Sequence, residues 1–221
     1  MIDTIKMIDF MGLSDCKCNY FQCFDSFVPI NYSFEKSKKY CIISDFHNGS
    51  WGLASCIGGN CAYSTGTVYV NSKITKVEDL KHYSCFVAAN ELNGINHLIE
   101  RVPVKIILNH YLKESGLRLR LKDIQDVFHL SNNNLEKPFI EQDKSIWMSS
   151  LAMGYVQGKD IFCFPWLNEN EIDHFLLAHD IGVIDFLKDN NKIVVVPSNQ
   201  IILSSYCDNT IVFEGAEVHY S

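Results

Sequence analysis

The apolar and polar positions of residues 40–59, which read YCIISDFHNGSWGLASCIGG, follow the pattern of a strand, a loop and a helix. An apolar run covers Tyr40–Ile43, and a polar, turn-forming segment follows over Ser44–Ser50. A mostly apolar run then covers Trp51–Ile57 and ends at two glycines. In α/β proteins the junction between a buried strand and the next helix is where phosphate is usually bound. The pattern therefore predicts a loop with phosphate-loop geometry.

The chemistry of this loop differs from that of a conventional phosphate loop. The GxxxxGK[ST] pattern needs glycines that wrap the phosphate oxygens, a lysine that neutralises them and a hydroxyl that ligates magnesium. When Asn48-Gly49-Ser50 are placed in the middle of that pattern, Gly52 stands for the lysine and Leu53 for the hydroxyl residue, while aromatic residues replace both glycines at positions 46 and 51. Shifting the frame does not help, because residues 40–72 contain no Lys or Arg.

We therefore interpret the loop as a degenerate nucleotide site whose residues are Asn48, Gly49, Ser50, Trp51 and Gly52. ATP and magnesium are disfavoured as cofactors, and no catalytic residue and no metal ligand is assigned. The alternative interpretation is a strand–turn–helix that binds no ligand.

The remaining periodicity predicts strands first, then helices, then strands alternating with helices. Residues 1–34 indicate two or three β-strands, with turns near Gly12–Asp15 and Pro29. Apolar residues then recur at three- and four-residue steps, which predicts three amphipathic helices and a later, longer one; they cover Val104–Gly116, Leu121–Phe128, Asp143–Gln157 and Asp173–Lys188. Short apolar runs predict further strands and a terminal hairpin; they cover Thr67–Val70, Ser84–Ala88, Ile161–Phe164, Ile193–Val196, Thr210–Phe213 and Glu217–Tyr220. A short helix is predicted over Val77–His82.

Composition and charge narrow the class of protein. The chain of 221 residues has 47% hydrophobic residues, which suits one large globular domain. Its net charge of −7 argues against a nucleic-acid partner or an anionic membrane surface. No apolar run approaches the roughly 20 residues that span a bilayer, so we expect no direct membrane insertion. Nine scattered cysteines indicate reduced thiols and a cytoplasmic location.

The order of these elements and their landmark residues resemble the ATPase domain of ATP-binding cassette (ABC) transporters over nearly the whole chain. The strand and turn TGTVYVN (65–71) and the terminal YCDNTIVFEG (206–215) resemble the family's "S-G-x-I-x-x-N-G" and "C-D-R-V-x-V-x-x-x-G" segments. The resemblance implies an α/β, P-loop NTPase-like fold. An N-terminal antiparallel β part, a mostly parallel core sheet and a helical subdomain at about 90–158 would form a single domain over 1–221.

The same alignment shows where the chain departs from the family. The magnesium-binding aspartate and the catalytic glutamate fall on Pro165 and Trp166, and the switch histidine falls on Asn199. The glutamine falls near Ala89 or Asn90, and the "L-S-G-G-E" signature falls at about 141–145, which reads EQDKS. ATP hydrolysis depends on charged groups that are positioned around the phosphates. Because the alignment lacks these groups, it implies little or no ATPase activity.

Three other groups of residues are candidate metal or ligand sites. Cys16, Cys18, Cys23 and Cys41 lack the usual C-x₂-C spacing of zinc ligands, so ordinary thiols are favoured. Glu171 and His174 stand three apart at a helix start but lack the partners of a di-metal site, so solvated cap residues are favoured. Trp51 and Trp166 would flank the loop, either as apolar filling or as a pocket for an apolar peptide or a stacked base.

Two functional hypotheses follow, and an active enzyme with an unconventional site is a third alternative. In the first, the chain is a non-catalytic ABC ATPase subunit in the cytoplasm that forms a homo- or heterodimer with an ABC ATPase domain. It would reach the membrane only peripherally, by docking on a permease through residues near 90–118. In the second, the chain is a soluble adaptor that binds a peptide or protein partner through the cleft of Trp51 and Trp166.

Overall fold

The structure, a computed structural model, describes residues 1–14, 16–18, 21–87, 101–142, 146–172, 180–215 and 217–221. The strands are β1 (Thr4–Ser14), β2 (Cys16–Cys18), β3 (Phe21–Cys23), β4 (Ile30–Glu35), β5 (Lys38–Ile43), β6 (Cys61–Val70), β7 (Lys73–Thr75), β8 (Ser84–Phe86), β9 (Ile161–Cys163), β10 (Ile193–Ser198), β11 (Asn209–Glu214) and β12 (Glu217–Tyr220). The α-helices are α1 (Ser50–Ile57), α2 (Val104–Glu114), α3 (Leu121–Val127), α4 (Asn132–Glu136), α5 (Ile146–Val156) and α6 (Asp180–Asp189). Short 3-10 helices cover Val77–His82, Phe139–Glu141 and Ile201–Tyr206.

Two larger sheets and a helical part make up the described chain. A four-stranded antiparallel sheet has the order β4-β1-β6-β7. A six-stranded sheet has the order β12-β11-β5-β10-β9-β8, and all its pairings are parallel except that of β11 with β12. The predicted α/β architecture, with an N-terminal antiparallel part, a mostly parallel core sheet and helices, is confirmed.

The central strands β5, β10 and β9 of the six-stranded sheet are buried on both faces, as their uninterrupted apolar runs predict. Along β10, the side chains of Ile193 and Val195 pack in one hydrophobic core, while those of Val194 and Val196 pack in the other. The first core lies between this sheet, α1 and the antiparallel sheet, and the second lies between this sheet and the helices. Helix α1 is therefore enclosed, and all eight of its residues are buried.

The antiparallel sheet departs from the prediction in two places. The expected turn near Gly12 is wrong, because β1 continues through Gly12 to Ser14 and the glycine fills a close-packed position inside the strand. Strand β6 begins at Cys61, six residues earlier than predicted. The strand continues through Gly66, at φ +84°, because a bulge in β1 between Ile8 and Met11 lies opposite this glycine. The predicted Asn71-Ser72 turn joins β6 to β7 with both residues at positive φ, as in a type I′ hairpin.

The helical part agrees with the prediction except at two elements. Helices α2 and α3 lie within two residues of the predicted bounds, and the 3-10 helix over Val77–His82 was expected as a helix. Helix α4 was not predicted, because its five residues are too few to show a helical period. Helix α5 was expected to bury one side, but residues 148–156 are all buried. Its start at 143–145, like residues 88–100 and 173–179, lies outside the described residues.

Candidate functional site

The predicted phosphate loop joins β5 to α1 with the expected geometry. Strand β5 ends at Ile43, and α1 begins at Ser50 after a loop of six residues. The loop turns where the N–H of Asn48 donates to the carbonyl of Asp45, at 3.1 Å. Gly49 caps the helix at φ +106°, a conformation that favours glycine. The backbone is therefore arranged as in a loop that binds an anion at a helix N-terminus.

A carboxylate of the same chain lies in this loop. The N–H of Gly49 is 3.1 Å and 3.2 Å from the two carboxylate oxygens of Asp25, and the N–H of Gly52 donates to Oδ2 at 2.7 Å. In a phosphate loop such N–H groups bind phosphate oxygens. Here they bind Asp25, which is only 2% exposed and lies 24 residues earlier in the chain.

The backbone holds Asp25 in place. The N–H of Asp25 donates to Oγ of Ser14, and the N–H of Ser14 donates to the carbonyl of Asp25, both at 2.9 Å. Two residues later, the ring of Phe27 packs 5.8 Å from that of Phe10 and 6.2 Å from that of Phe213. The carboxylate is therefore delivered to the loop by a segment that is anchored to β1 and to the core.

Burial raises the pKa of Asp25, and the hydrogen bonds donated by Gly52, Gly49 and Ser26, together with the nearby His47, act in the opposite direction. Both carboxylate oxygens face N–H donors. The ionised form therefore fits this geometry, because a protonated oxygen would place its O–H against an N–H.

The neighbouring N–H groups also have internal acceptors. The N–H of Ser50 donates to Oγ of Ser44 at 3.1 Å, and the two hydroxyl oxygens are 2.7 Å apart. The N–H of Leu53 donates to the carbonyl of Gly49 within the first helical turn. A phosphate bound by the Ser50 N–H would have to displace the Ser44 hydroxyl as well as the Asp25 carboxylate.

Gly52 is the residue that the sequence alignment places at the family's lysine, and the fold leaves no room for a side chain there. A Cβ atom on Gly52 would lie 2.6 Å from the carbonyl oxygen of Asp25 and 3.2 Å from the ring of Phe27. Real Cβ atoms do not approach backbone atoms so closely, so a lysine would displace the segment that carries Asp25. The glycine at position 52 and the internal carboxylate are thus two parts of one arrangement.

Aromatic side chains pack beside the loop, on the side where β9 ends. Trp166 follows β9, and its indole N–H donates to the carbonyl of Ser44 at 3.3 Å. The ring of Phe46 lies 4.9 Å from that of Trp166 and 6.0 Å from that of Trp51. Phe46 is 44% exposed and Trp51 is 7% exposed. The prediction that both tryptophans lie beside the loop is confirmed, and Phe46 separates them.

The five predicted site residues are adjacent, but they serve different roles. Asn48 is exposed, whereas the other four are buried. Gly49 and Gly52 bind Asp25, Ser50 binds Ser44, and the ring of Trp51 packs between those of Phe46 and Phe86. These residues do not fit a magnesium–triphosphate group, because none of them is a cation, the Ser50 hydroxyl already accepts from Ser44, and the N–H groups of Gly49 and Gly52 already bind Asp25.

The other predicted positions have structural roles or lie outside the residues that the structure describes. Glu171 and Asn168 bond reciprocally, each side chain accepting from the backbone N–H of the other at 2.9 and 3.1 Å, which is a helix cap as predicted for Glu171. His174, Ala89 and Asn90 lie outside the described residues, as does part of 141–145, and Asn199 is exposed. Cys16 and Cys23 are opposite each other in the backbone register of the β2–β3 hairpin. Within the described ranges, no group of three or more His, Cys, Asp or Glu side chains is arranged for a metal ion.

Comparison with known proteins identifies the fold. No protein-family model and no curated protein matches the sequence. A solved dimeric structure of a bacterial ABC transporter cassette is similar at a TM-score of 0.67 and 12% identity, over 98% of this chain and 97% of that one. The chain has the fold of an ABC transporter ATPase.

Two further structures support this assignment. The structure of cbiO1 from Clostridium perfringens, part of the ABC transporter complex cbiONQ, matches at a TM-score of 0.64 and 12% identity, over 99% of this chain and 88% of that one. A nucleotide-free ATP-binding cassette from an ABC transporter matches at a TM-score of 0.63 and 14% identity, over 100% and 91% of the two chains. At such identities the likeness establishes the ABC ATPase fold, and the activity has to be argued from the site.

The described helices of this ABC ATPase fold include none with the length and apolar character needed to cross a membrane.

Proposed function

We propose that this chain is a non-hydrolysing ABC ATPase-type subunit whose phosphate loop is filled by its own Asp25. The observation that carries the proposal is the pair of hydrogen bonds from Gly49 and Gly52 to the Asp25 carboxylate. A carboxylate in that position competes directly with a phosphate for the same N–H donors, and it is present at all times because it belongs to the chain.

The surrounding chemistry supports the same conclusion. Phosphoryl transfer in such sites depends on a cation at the phosphates, a magnesium ligand and a group that positions water. Gly52, Pro165 and Trp166 stand at positions where the family supplies charged groups, and none of these three side chains carries charge. Opening the loop would therefore not by itself restore hydrolysis.

Such a subunit would act through its shape. We propose that it pairs with an ABC ATPase domain, either a second copy or an active relative, and that it reaches the membrane through a permease rather than by insertion. The similar solved structures include a dimeric cassette and a component of a transporter complex. We extend both kinds of assembly, the dimer and the transporter complex, to the present chain by this proposal.

The proposal is tested by titrating Mg-ATP into the purified chain in a calorimeter and by measuring phosphate release at millimolar Mg-ATP. An active cassette of the same fold serves as the positive control under identical conditions. We expect no binding heat above dilution and no phosphate release above the blank. Robust magnesium-dependent hydrolysis would overturn the proposal.

A soluble adaptor is the second candidate, and one observation favours it. Phe46 is exposed, and its ring packs at a tilted angle against that of Trp166. An aromatic surface therefore faces solvent beside the loop. Trp51 cannot contribute to that surface because it is buried. Purification of the tagged chain from its own cells separates the candidates: a polytopic membrane protein favours the transporter subunit, and a soluble enzyme or peptide partner favours the adaptor.

A further inference from the structure

Two cysteine thiols meet at the far end of α1, away from the phosphate loop. Cys56 lies in the last turn of α1, and Cys61 is the first residue of β6. The Sγ atom of Cys56 lies 2.8 Å from that of Cys61 and donates to it. A disulfide bond brings two sulfur atoms to about 2.0 Å, so a small side-chain movement would join them.

The backbone keeps the two thiols together. The chain between them is the glycine turn that ends α1, where the N–H of Gly59 donates to the carbonyl of Cys56 at 2.9 Å. Gly59 has φ +79°, which lets the chain reverse within two residues. Proximity of the thiols is therefore fixed by the fold of the turn and does not require a rearrangement of either element.

Strand β1 passes over the pair at Gly12, and the missing side chain provides the space for both sulfur atoms. A Cβ atom at Gly12 would lie 2.9 Å from Sγ of Cys56 and 3.0 Å from Sγ of Cys61. This contact explains why a glycine interrupts β1, which otherwise carries side chains through this region. The two sulfur atoms therefore lie together in the space that Gly12 leaves under β1.

The two thiols differ in access and in acidity. Cys56 is fully buried, whereas Cys61 is partly exposed to solvent. The hydrogen bond from Cys56 lowers the pKa of the Cys61 thiol, and backbone hydrogen bonds at Leu13 and Tyr63 act in the same direction against the effect of burial. Burial raises the pKa of the Cys56 thiol. Cys61 is therefore the thiol that is both reachable and more readily ionised, which is the combination that governs reactivity.

We propose that Cys56 and Cys61 are a redox modification site that closes to a reversible disulfide when glutathione disulfide is the oxidant. The Cys61 thiolate attacks one sulfur of glutathione disulfide, forms a mixed disulfide and releases one glutathione. The Cys56 thiol then loses its proton and attacks the Cys61 sulfur, which releases the second glutathione. Two protein thiols are oxidised, and one glutathione disulfide is reduced to two glutathione molecules.

Peptide mapping tests the proposal on the intact wild-type chain. The folded protein is incubated with glutathione disulfide, its free thiols are alkylated, and it is cut with chymotrypsin. Cleavage after Trp51 and Tyr63 gives residues 52–63, a peptide whose only cysteines are Cys56 and Cys61. We expect this peptide to lose its alkylated form and to appear two hydrogens lighter, and dithiothreitol to reverse the change.

Two variants sharpen the result. Cys61→Ser is expected to abolish the lighter peptide and to leave Cys56 without glutathione, because the buried thiol cannot be reached. Cys207→Ser is the matched control, since Cys207 is also partly exposed, and it is expected to leave the lighter peptide unchanged. The wild-type result decides without either variant: a peptide 52–63 that stays alkylated at both cysteines, or that stably carries glutathione on Cys61, would overturn the proposal.

Discussion

Asp25 links two distant parts of the chain, because its backbone is hydrogen-bonded to Ser14 and its carboxylate to the start of α1. One side of the residue is fixed to Ser14, and the other accepts from the N–H groups at the start of α1. Hydrogen bonds to charged acceptors contribute more to stability than neutral ones, and N–H groups left unpaired in the interior carry a desolvation cost. Asp25 should therefore matter to stability as well as to the loop.

We expect Asp25→Asn to lower the free energy of unfolding by about 2 kcal/mol, because an amide NH₂ group would face an N–H donor that the carboxylate now accepts from. Urea unfolding followed by circular dichroism measures the change. Asp45→Asn is the matched control, since Asp45 lies in the same loop with its side chain exposed. A loss for Asp25→Asn no larger than that for Asp45→Asn would contradict this account of the site.

The pH dependence of stability gives a second prediction at this residue. Burial raises the pKa of Asp25 in the folded chain above its ordinary value of 3.8, so the folded state binds the proton more tightly than the unfolded state. The stability of the wild type relative to Asp25→Asn should then increase as the pH falls from the raised folded pKa towards 3.8. Urea unfolding of both proteins across acidic pH tests this sign. A relative loss of wild-type stability on acidification would show that the hydrogen bonds outweigh burial.

At the site, the sequence predicted which groups are missing but not which group takes their place. The absence of Lys and Arg near the loop and the glycine at position 52 are visible in the chain itself. Asp25 gives no local signal, because it lies far from the loop in sequence and is brought there by the pairing of its segment with Ser14 and by the packing of Phe27 in the core. A long-range contact of one side chain has no period or spacing by which it could be found.

Helix α1 contains a glycine for packing reasons, and a comparison with α6 tests this. Gly52→Ala would force the segment at Asp25 to move, and we expect it to lower the free energy of unfolding by about 1–3 kcal/mol, as overpacking usually does. Gly182→Ala in α6 is the control, because no heavy atom lies within 4 Å of its new Cβ. The control should be neutral or up to about 1 kcal/mol more stable, through helix propensity.

Urea unfolding of both alanine variants gives the comparison directly. Equal effects at Gly52 and Gly182 would mean that the segment at Asp25 yields without cost, and the close packing inferred at the loop would then be wrong.

Elements with a strong pattern were predictable, and short or displaced ones were not. The buried strand β9, the helices α2 and α3 and the β11–β12 hairpin follow directly from apolar runs and periodicity. The early start of β6 was missed because a bulge places Gly66 inside a strand where the pattern indicates a turn. Helix α5 was misjudged as one-sided, because burial by both the sheet and the other helices is a property of the tertiary structure.

At the scale of the whole molecule, the chain has the layers of the ABC ATPase fold, and the loop between β5 and α1 binds a carboxylate of its own chain. Two hydrophobic cores, one on each face of the parallel sheet, stabilise the architecture. Both consist of apolar side chains that lie outside the loop, and the core beside the antiparallel sheet includes residues of α1. The proposed role as a non-hydrolysing partner therefore requires only that these cores keep the shape of the fold.

The amide signals of Gly49 and Gly52, followed by ¹H–¹⁵N NMR during a titration with Mg-ATP, test the central claim most directly. If Asp25 occupies the loop, both signals should stay in place up to millimolar Mg-ATP, and both should move in Asp25→Asn without any nucleotide. Saturable shifts of these two amides on addition of Mg-ATP to the wild-type chain would contradict the claim, because they would show that phosphate displaces the carboxylate.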